Sequence, residues 1–510
     1  METFKCHTEN KWVKQNGFLT MPQESAALPV FTESRSKLPQ PRWDARPDVI
    51  RAYWKAWELG FSHLRAPAQE NGFVSNYIDT AFNDHLFMWD SCFILFFGKY
   101  GQRVFTFQNT LDNLYAKQHP DGFICREIDE ATGGDCFERY DPASTGPNIL
   151  AWSEWEYYLN FGNRDRLSRV FPALVAYHQW LRTYRTWKDG TYWSSGWGCG
   201  MDNQPRSDAP DFNERFSHGH LTWADTSLQQ LCSARRIVAI AKALGRDAEI
   251  PDFATEIDRL TQSIKALLWD AKTAFYYDAD RDGAHPNVKS IGAYWALLAE
   301  CVDPGDLPAF VAHLENPEEF FTQHPVPTLS KDNPLYDRTG GYWLGSVWAP
   351  TNYMVMTGLA LHGCIDLAQK IATRHLDAVV AVCEDTGTLW ENYAPENNAP
   401  GNPSKGDFVG WTGLVPIAVL FEYVFGLQPK AHEQRIAWHC HLTDEFGVDE
   451  YPFGADGILD LAVKKRRSVE ARPQISVTSN VAVTFEIHWG NAVDTWHVQP
   501  GSVQQWGTGV

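Results

Sequence analysis

Apolar residues recur every three or four positions from about residue 48 to about residue 426, which is the spacing of one face of a helix. The pattern predicts about twelve helices in this part of the chain. Their predicted ranges are 48–64, 87–100, 103–118, 147–161, 165–187, 223–244, 252–270, 289–301, 305–315, 346–361, 363–383 and 412–426.

The connections between these helices alternate between short and long. Short links join antiparallel neighbours, whereas the long links are rich in Gly, Trp, Tyr, Asn and Asp and are typical of functional loops. The alternation predicts six helical hairpins closed into a ring, an all-α (α/α)6 barrel whose long loops share one face and one pocket. An open solenoid is the alternative, but the chain lacks the repeat of about 30–50 residues that it requires. The short links lie at 100–102, 161–164, 244–247, 302–305 and 361–363.

The two ends of the chain differ from this helical region. Residues 1–46 carry several prolines and are predicted to form an extended lead-in. Residues 427–510 alternate apolar with polar positions, which predicts a small antiparallel β module that caps the barrel. The expected organisation is therefore a lead-in (1–46), a barrel (47–426) and a β module (427–510).

Composition narrows the classes of partner. Aromatic residues make up 14% of the chain, with 22 Trp, and a flat Trp ring stacks well on the C–H face of a sugar. The net charge of −19, with a single short basic run at 464–467, argues against nucleic acid or an anionic membrane as partner. The N-terminal residues lack the apolar core of a signal peptide, no apolar run is long enough to span a membrane, and the ten cysteines form no C-x-x-C pair. We expect reduced thiols and a cytoplasmic protein.

The loop at 196–206 reads GWGCGMDNQPR and is the strongest candidate for chemistry. Three glycines allow tight turns or a close approach to a ligand. Trp197 offers a platform for a sugar ring, Asp202 a carboxyl group for proton transfer, and Asn203 and Arg206 donors for hydroxyl groups. The alternative is a surface loop that an Asp–Arg pair closes.

The other long loops carry similar side chains. Asp90 either caps a helix or binds sugar hydroxyls, and Arg126 with Glu127 forms either a loop salt bridge or a hydroxyl-binding pair. The remaining candidates for sugar contact are Trp89, Trp343, Trp348, Trp390, Tyr393 and Trp411, and the candidate acid or base in the last loop is Glu391.

Asp202 lies in the loop of the third predicted hairpin and Glu391 in the loop of the sixth. In a ring of six these positions are opposite one another, so the two carboxyl groups should face across the pocket. Such a pair is the apparatus of glycoside hydrolysis, and a wide span favours the separation of about 6.5–9.5 Å that inverting enzymes use. Asp208 and Glu396 are local rivals, but the aromatic neighbours of Glu391 favour it.

Taken together, the motifs resemble those of glycoside hydrolase family 63 and its trehalase and mannosylglycerate-hydrolase relatives. The matching segments are GMDNxPR at 200–206, WENY at 390–393, MWD at 88–90, GWT at 410–412 and the segment from 342 to 352, where Leu344 replaces an arginine that is usual in the family. They occur in the expected order along the chain.

This resemblance implies an (α/α)6 barrel and exo-acting, inverting hydrolysis of an α-linked glucoside or mannoside. By position in the motifs, Asp202 would be the general acid and Glu391 the general base. Asp202 must then stay protonated near neutral pH, which requires an apolar surrounding, while Glu391 must be ionised beside a water molecule. The resemblance implies a small carbohydrate as partner and no cofactor.

Two other functions compete with this one. A sugar isomerase or epimerase on the same barrel would use histidines as acid and base, and a carbohydrate-binding protein would have no catalytic pair. No metal site is predicted, since the two histidines at 217–220 lack a third ligand and the acidic run at 278–282 is interpreted as a solvated turn. A carboxylated aglycone would bind Arg126, Arg206 or Lys405, and residues 395–407 are a candidate mobile lid. The candidate histidines are His85, His218, His220 and His285.

Overall fold

The computed structural model describes residues 8–24, 26–206 and 215–507, so the rival acid Asp208 lies outside the described residues. Twelve helical segments occupy the predicted positions. They are α1 (Pro47–Ser62), α2 (Met88–Gly98), α3 (Thr110–Ala116), α4 (Leu150–Phe161), α5 (Arg164–Tyr184), α6 (Ala224–Leu244), α7 (Asp252–Leu267), α8 (Trp295–Leu298), α9 (Leu307–Ala312), α10 (Ala349–Leu361), α11 (Ile365–Thr386) and α12 (Val415–Val424).

Several helices are shorter or less regular than the pattern predicts. The expected helix at 289–301 is a 3₁₀ turn, Ile291–Tyr294, followed by the single turn α8. The helix expected at 412–426 is a 3₁₀ turn, Thr412–Leu414, followed by the π-helical α12, whose residues are all buried. Periodicity reports which face of a segment is apolar, and a segment buried on every side carries no such signal. The exact helix type was therefore beyond the sequence pattern.

Six helical segments form a closed inner ring. Helix α2 contacts α4, α4 contacts α6, α6 contacts α8, and α8 contacts α10. Helix α10 contacts the Thr412–Leu414 turn, which in turn contacts α2 and closes the ring. An open solenoid would leave its end helices apart, so these contacts exclude it. Outside the ring, α1, α5, α7 and α11 pack against its members.

The fold is not all-α, because strands occur in the loops as well as in the last part of the chain. Three two-stranded pairs lie in the long loops and the connections beside them. They join β2 (Leu64–Arg65) to β3 (Tyr77–Ile78), β4 (His85–Phe87) to β5 (Glu127–Asp129), and β6 (Trp269–Asp270) to β7 (Phe275–Tyr276).

Two larger sheets occupy the C-terminal region. Their strands are β1 (Gln40–Arg42), β8 (Leu427–Lys430), β9 (Arg435–His439), β10 (Phe446–Phe453), β11 (Gly457–Val463), β12 (Ile475–Ser479), β13 (Val483–Trp489), β14 (Ala492–Val498) and β15 (Gly501–Trp506). The antiparallel five-stranded sheet has the order β1-β10-β11-β12-β15, and the four-stranded sheet has the order β14-β13-β9-β8.

Two features of these sheets differ from the prediction. Strand β1 comes from the N-terminal segment and pairs with β10, so the lead-in is partly built into the C-terminal sheet. Strands β9 and β13 pair in parallel, although the module was expected to be antiparallel throughout. The lead-in also forms helical turns, among them Val13–Gln15 and Phe31–Ser34, rather than a uniformly extended chain. Pairing between distant segments leaves no mark in a local pattern of residues.

The nine cysteines of the described chain are all free thiols. No helix in the described ranges combines the length and the apolar character needed to cross a membrane.

Candidate active site

A cavity of about 230 Å³ opens where the long loops lead into the inner helices. Asp202 and Glu391 both line this cavity, as expected from their positions in loops on opposite sides of the predicted ring. Its other lining residues are mostly aromatic or small, with further charged groups at the wall. The complete lining is Phe82, Asn83, Phe87, Trp89, Asp90, Arg126, Glu127, Phe137, Gly146, Pro147, Trp197, Gly200, Asp202, Tyr342, Trp343, Glu391 and Trp411.

The loop that carries Asp202 begins with one helical turn, Gly196–Cys199, which the Ser195 side chain caps by accepting from the Gly198 N–H. Gly200 ends this turn with a φ of +80°, and a Cβ there would lie 3.3 Å from the ring of Trp89. Glycine is therefore needed both for the left-handed backbone and for the close approach to Trp89. Asp202 follows two residues later and lines the cavity.

Arg206 does not reach the cavity and is a structural residue. Its guanidinium is buried and forms ion pairs with Asp225 and with Asp278, the latter at 3.2 Å. Asp278 also accepts from the backbone N–H of Ala224 at the start of α6 (2.8 Å). The prediction that Arg206 binds hydroxyl groups, and the prediction that Asp278 belongs to a solvated turn, are both corrected. Together the two side chains fasten the Asp202 loop to α6.

Burial raises the pKa of Asp202 to about 6, although the positive charges of Arg126 and Arg215 oppose the shift. At pH 7 an ordinary aspartate is almost fully ionised, whereas a carboxyl group with a pKa of about 6 keeps its proton in about one molecule in ten. Burial thus shifts the pKa of Asp202 in the direction expected from the sequence, but most of the group is ionised at neutral pH.

Glu391 is buried and held at both carboxylate oxygens. The Tyr342 hydroxyl donates to Oε1 (3.1 Å), and the backbone N–H of Lys405 donates to Oε2 (3.3 Å). The indole of Trp411 donates to the Glu391 carbonyl (2.8 Å), which fixes the backbone as well. These contacts leave each carboxylate oxygen with lone-pair capacity for a water molecule.

Burial also raises the pKa of Glu391, to about 7, while the donors from Tyr342 and Lys405 lower it and the negative charge of Asp202 raises it. The influence of Asp202 reflects the shared cavity. Glu391 is thus the stronger base of the pair and Asp202 the stronger acid. The state with Asp202 protonated and Glu391 ionised is therefore a minority of the free protein, by about tenfold for each unit by which the pKa of Glu391 exceeds that of Asp202.

Asp90, at the start of α2, is a third carboxyl group on the cavity wall. Burial raises its pKa to about 8, and the negative charges of Glu127 and Glu391 add to the shift while Arg126 opposes it. At neutral pH Asp90 is therefore largely protonated and offers both a donor and an acceptor to a sugar.

Arg126 and Glu127 form a charged part of the wall. They pair at 3.1 Å, and the His85 Nδ1 lies 2.6 Å from a Glu127 oxygen. The Arg126 guanidinium also lies 4.7 Å from the Phe137 ring and 5.8 Å from the Trp197 ring. The pair is thus a loop salt bridge that also lies on the cavity surface.

Four predicted contact residues lie behind the cavity wall rather than on it. The Asn203 amide bonds to the backbone on both sides of Tyr342, and Trp348 is fully buried and stacks on Trp343 with centroids 4.1 Å apart. The Trp390 indole donates to Thr386, and the buried Tyr393 hydroxyl accepts from the Trp390 N–H. The expectation of direct sugar contact is corrected for all four, which support the lining residues instead.

Tyr342 is the main functional residue that the list of candidates from the sequence lacks. It stands in the segment 342–352, whose other members were chosen for their indole rings, so its position was a usable signal. Phe137 and Pro147 line the cavity without any motif that marks them. The remaining lining residues outside the predicted set are Phe82, Asn83, Phe87, Gly146 and Gly200.

Histidines contribute nothing to the cavity lining in the described chain. His218 and His220 lie beside Trp187, and the His285 ring bonds to the Leu267 carbonyl (2.7 Å). His85 reaches the site only through Glu127. An isomerase would need histidines at the reacting carbon, so the lining of the cavity does not support this alternative function.

His85, Glu127 and Cys136 bring one ligand atom each within 4.8 Å of one another. Burial and the charge of Glu127 raise the pKa of the Cys136 thiol to about 12. We assign no metal to this group.

Two opposed carboxyl groups in an aromatic cavity, on a ring of helices, define a glycoside hydrolase. A family model described as the mannosylglycerate hydrolase MGH1-like glycoside hydrolase domain matches residues 83–412. The chain belongs to this family. The match covers every segment that lines the cavity except Phe82.

Individual proteins are also similar to this chain, and the two solved structures among them share its fold. The mannosylglycerate hydrolase of Rubrobacter radiotolerans is 25% identical over 323 residues, which cover 51% of this chain and 69% of that protein. The crystal structure of the GH63 mannosylglycerate hydrolase from Thermus thermophilus in complex with glucose aligns with a TM-score of 0.57 at 20% identity, covering 72% of this chain and 99% of that one. A GH78 family rhamnosidase of Bacillus sp. GL1 aligns with a TM-score of 0.59 at 15% identity, covering 84% of this chain and 40% of that one.

Proposed function

We propose that this protein is an inverting, exo-acting glycoside hydrolase on an (α/α)6 barrel, and that it cleaves an α-linked glucoside or mannoside. Asp202 is the general acid and Glu391 the general base. The observation that carries the proposal is that both carboxyl groups line one cavity from loops on opposite sides of the helical ring.

In the proposed reaction, Asp202 gives its proton to the glycosidic oxygen as the bond to the anomeric carbon breaks. Glu391 takes a proton from a water molecule, and that water attacks the anomeric carbon from the other face of the sugar ring. Attack from the opposite face inverts the configuration, so an α-linked substrate yields a β-configured sugar. The Tyr342 and Lys405 donors keep Glu391 oriented towards the water.

The size and the lining of the cavity support a short substrate. A volume of about 230 Å³ is below the range of roughly 300–1,000 Å³ that is usual for drug-sized ligands. It suits one terminal sugar with a small aglycone, as an exo-acting enzyme requires. The rings of Trp89, Trp197 and Trp343 supply flat apolar faces, and Asp90 and Arg126 supply hydrogen bonds for hydroxyl groups.

The names of the relatives, which include mannosylglycerate hydrolases and a mannosyl-oligosaccharide glucosidase, support α-linked mannose or glucose as the sugar. Of the three cations considered for a carboxylated aglycone, Arg126 is the one on the cavity wall. Arg206 is buried in ion pairs, and the Lys405 ammonium donates to the carbonyls of Ala81 and Phe82 (2.6 and 2.7 Å). A carboxylated aglycone would therefore bind at Arg126.

The test is a panel of α-linked glucosides and mannosides, disaccharides and glycosyl-glycerates, with the first-formed anomer observed by ¹H NMR. A β-configured product is expected, and an α-configured product would contradict inversion. Asp202→Asn and Glu391→Gln should each lower kcat by roughly 10²–10⁴-fold with an unchanged circular dichroism spectrum. Near-normal turnover in either variant would reject the assignment.

A substrate with an activated aryl leaving group separates the two roles. Such a group needs little protonation, so Asp202→Asn should lose much less activity on it than on a natural disaccharide. Glu391→Gln should lose about the same on both, because the attack of water is still required. The opposite pattern would exchange the roles of the two carboxyl groups.

A further inference from the structure

Tyr342 is held in an unfavourable backbone conformation. Its φ is +68°, in the left-handed region that a bulky residue rarely adopts. Its hydroxyl nevertheless reaches the Glu391 Oε1 (3.1 Å), so the surrounding structure must stabilise the segment from outside.

The side chain of Asn203 provides this support. Its Nδ2 donates to the carbonyl of Gly341 (3.0 Å), and its Oδ1 accepts from the N–H of Trp343 (2.9 Å). These two peptide groups flank Tyr342 on either side. The Trp348 indole adds a third bond, to the Tyr342 carbonyl (3.2 Å). The amide of Asn203 therefore holds the backbone on both sides of Tyr342, the residue whose hydroxyl donates to Glu391.

Asn203 directly follows Asp202 in the chain, and it does not line the cavity. The loop that bears the acid is thus bonded, through one side chain, to the segment that orients the base. The amide offers a donor and an acceptor on separate atoms, one for each peptide group, whereas an ionised aspartate would place a second acceptor against the Gly341 carbonyl.

We propose that Asn203 is a positioning residue that couples the two halves of the active site, holding the Tyr342 hydroxyl on Glu391 while its neighbour Asp202 faces the glycosidic oxygen. This inference rests on the proposed roles of Asp202 and Glu391. Its contribution is made through Tyr342 rather than by contact with the sugar.

The coupling has a consequence for the pH dependence of the reaction. The donor from Tyr342 lowers the pKa of Glu391, so losing the donor raises that pKa. The pH optimum of a bell-shaped profile is the mean of the pKa values of the acid and the base, and it does not matter which of the two values is higher. Releasing Tyr342 therefore moves the optimum of kcat/KM to higher pH.

The experiment compares Asn203→Ala, Tyr342→Phe and the double variant. Each single variant should lower kcat by roughly tenfold, as loss of one well-placed hydrogen bond does, with KM nearly unchanged and the optimum moved to higher pH. The double variant should lose no more than the more damaged single variant, because both changes remove the same contact. Should Asn203→Ala fold poorly, Asn203→Ser, which adds no charge, is expected to show the same pH shift.

Asn113→Ala is the matched control. Asn113 also clamps backbone, accepting from the N–H groups of Val74 and Ser75 (2.8 and 3.0 Å) and donating to the Ser75 carbonyl (3.1 Å), in a segment away from the cavity. It should lower thermal stability but leave the pH optimum in place.

Two results would overturn the proposal in distinguishable ways. Additive losses in the double variant with an unmoved pH optimum, while Glu391→Gln is inactive, would refute the coupling alone. An active Glu391→Gln enzyme would refute the proposed function and the coupling with it.

Discussion

The carboxyl groups of the cavity show how burial sets the chemistry of single residues. Burial raises the pKa of Asp202 to about 6, of Glu391 to about 7 and of Asp90 to about 8. The values differ because the donors and charges around each group differ, with cations near Asp202 and two hydrogen-bond donors on Glu391. Three carboxyl groups in one apolar cavity therefore lose their protons at three different pH values.

The pH profile of kcat/KM follows from the first two groups. Activity should fall at low pH because Glu391 becomes protonated, and at high pH because Asp202 loses its proton. We expect a bell with its maximum between the two pKa values, about 6 and about 7. On either side the rate should fall by about tenfold per pH unit. Steady-state kinetics from acid to alkaline pH would measure it, and a maximum above about pH 8 would contradict the assignment.

We expect the Asp90→Asn variant to be more stable and less active than the unchanged protein. A carboxyl group whose pKa is raised in the folded state stabilises the fold fully only below its unfolded pKa, and this contribution is lost as the pH rises towards about 8. The neutral amide of asparagine does not lose stability as the pH rises, so the variant should melt a few degrees higher than the unchanged protein at pH 7. This difference in melting temperature should shrink towards pH 4. Its kcat/KM should fall by roughly tenfold or more, because a contact to a sugar hydroxyl changes.

Calorimetry at pH 4, 5.5 and 7 would measure the stability effect. If the difference in melting temperature did not depend on pH, the ionisation of Asp90 would not be its cause. Asp456→Asn, at a turn of the C-terminal sheet away from the cavity, is a suitable comparison.

Among the structural elements, the loops that lead into the inner helices build the site, and the loops are bonded to one another. Residues 395–407, the candidate lid, bond to neighbouring segments through the N–H groups of Gly401, Asn402 and Lys405. Lys405 also reaches across with its ammonium to the carbonyls of Ala81 and Phe82. This segment therefore acts as a support of the cavity wall that carries Glu391.

Lys405→Met tests that connection. Without the ammonium, the Phe82 and Asn83 wall should loosen, and kcat/KM should fall by roughly tenfold. If Lys405 holds the loops together, neutral and carboxylated substrates should lose activity equally. A loss confined to carboxylated substrates would instead identify Lys405 as their binding group. Lys464→Met, which removes an exposed ion pair with Glu445 in the C-terminal sheet, should leave both activities unchanged.

For the molecule as a whole, the helical ring and the C-terminal sheets share a continuous apolar core. Phe446 of β10 stacks on Phe425 at 4.6 Å, and Tyr451 packs against Tyr100 and Phe421 at 5.7 and 5.8 Å. Strand β1 adds the N-terminal segment to the same sheet. Because so much apolar surface is common to both parts, we expect residues 47–426 and 427–510 to unfold together.

Tyr451→Ala tests this expectation. Removing a fully buried ring costs about 3–5 kcal/mol. If the two parts form one cooperative unit, the single calorimetric transition should move as a whole to lower temperature. If they are independent, a separate low-temperature transition of the sheets should appear while the ring keeps its melting temperature. Tyr451→Phe keeps the ring in place and should change the transition little.

Local patterns in the sequence were sufficient for the helical positions and the closed ring, and they also selected two carboxyl groups that line one cavity. Periodic apolar positions mark a helix wherever one face is exposed, as in α7, where Phe253, Leu260 and Ile264 are the buried residues. The alternating loop lengths implied which loops share a face. Asp202 and Glu391 could be chosen because a carboxyl group among aromatic residues in a long loop is an unusual combination.

What the tertiary structure alone decided is how each side chain is used. Arg206, Asn203, Trp348, Trp390 and Tyr393 have the residue types of a sugar site, yet they support it from behind. The parallel pairing of β9 with β13 and the recruitment of β1 likewise depend on contacts between distant segments. The physical reason is the same in both cases: residue type and local spacing determine what a segment can form, whereas exposure to the cavity and pairing between strands depend on which parts of the chain meet in space.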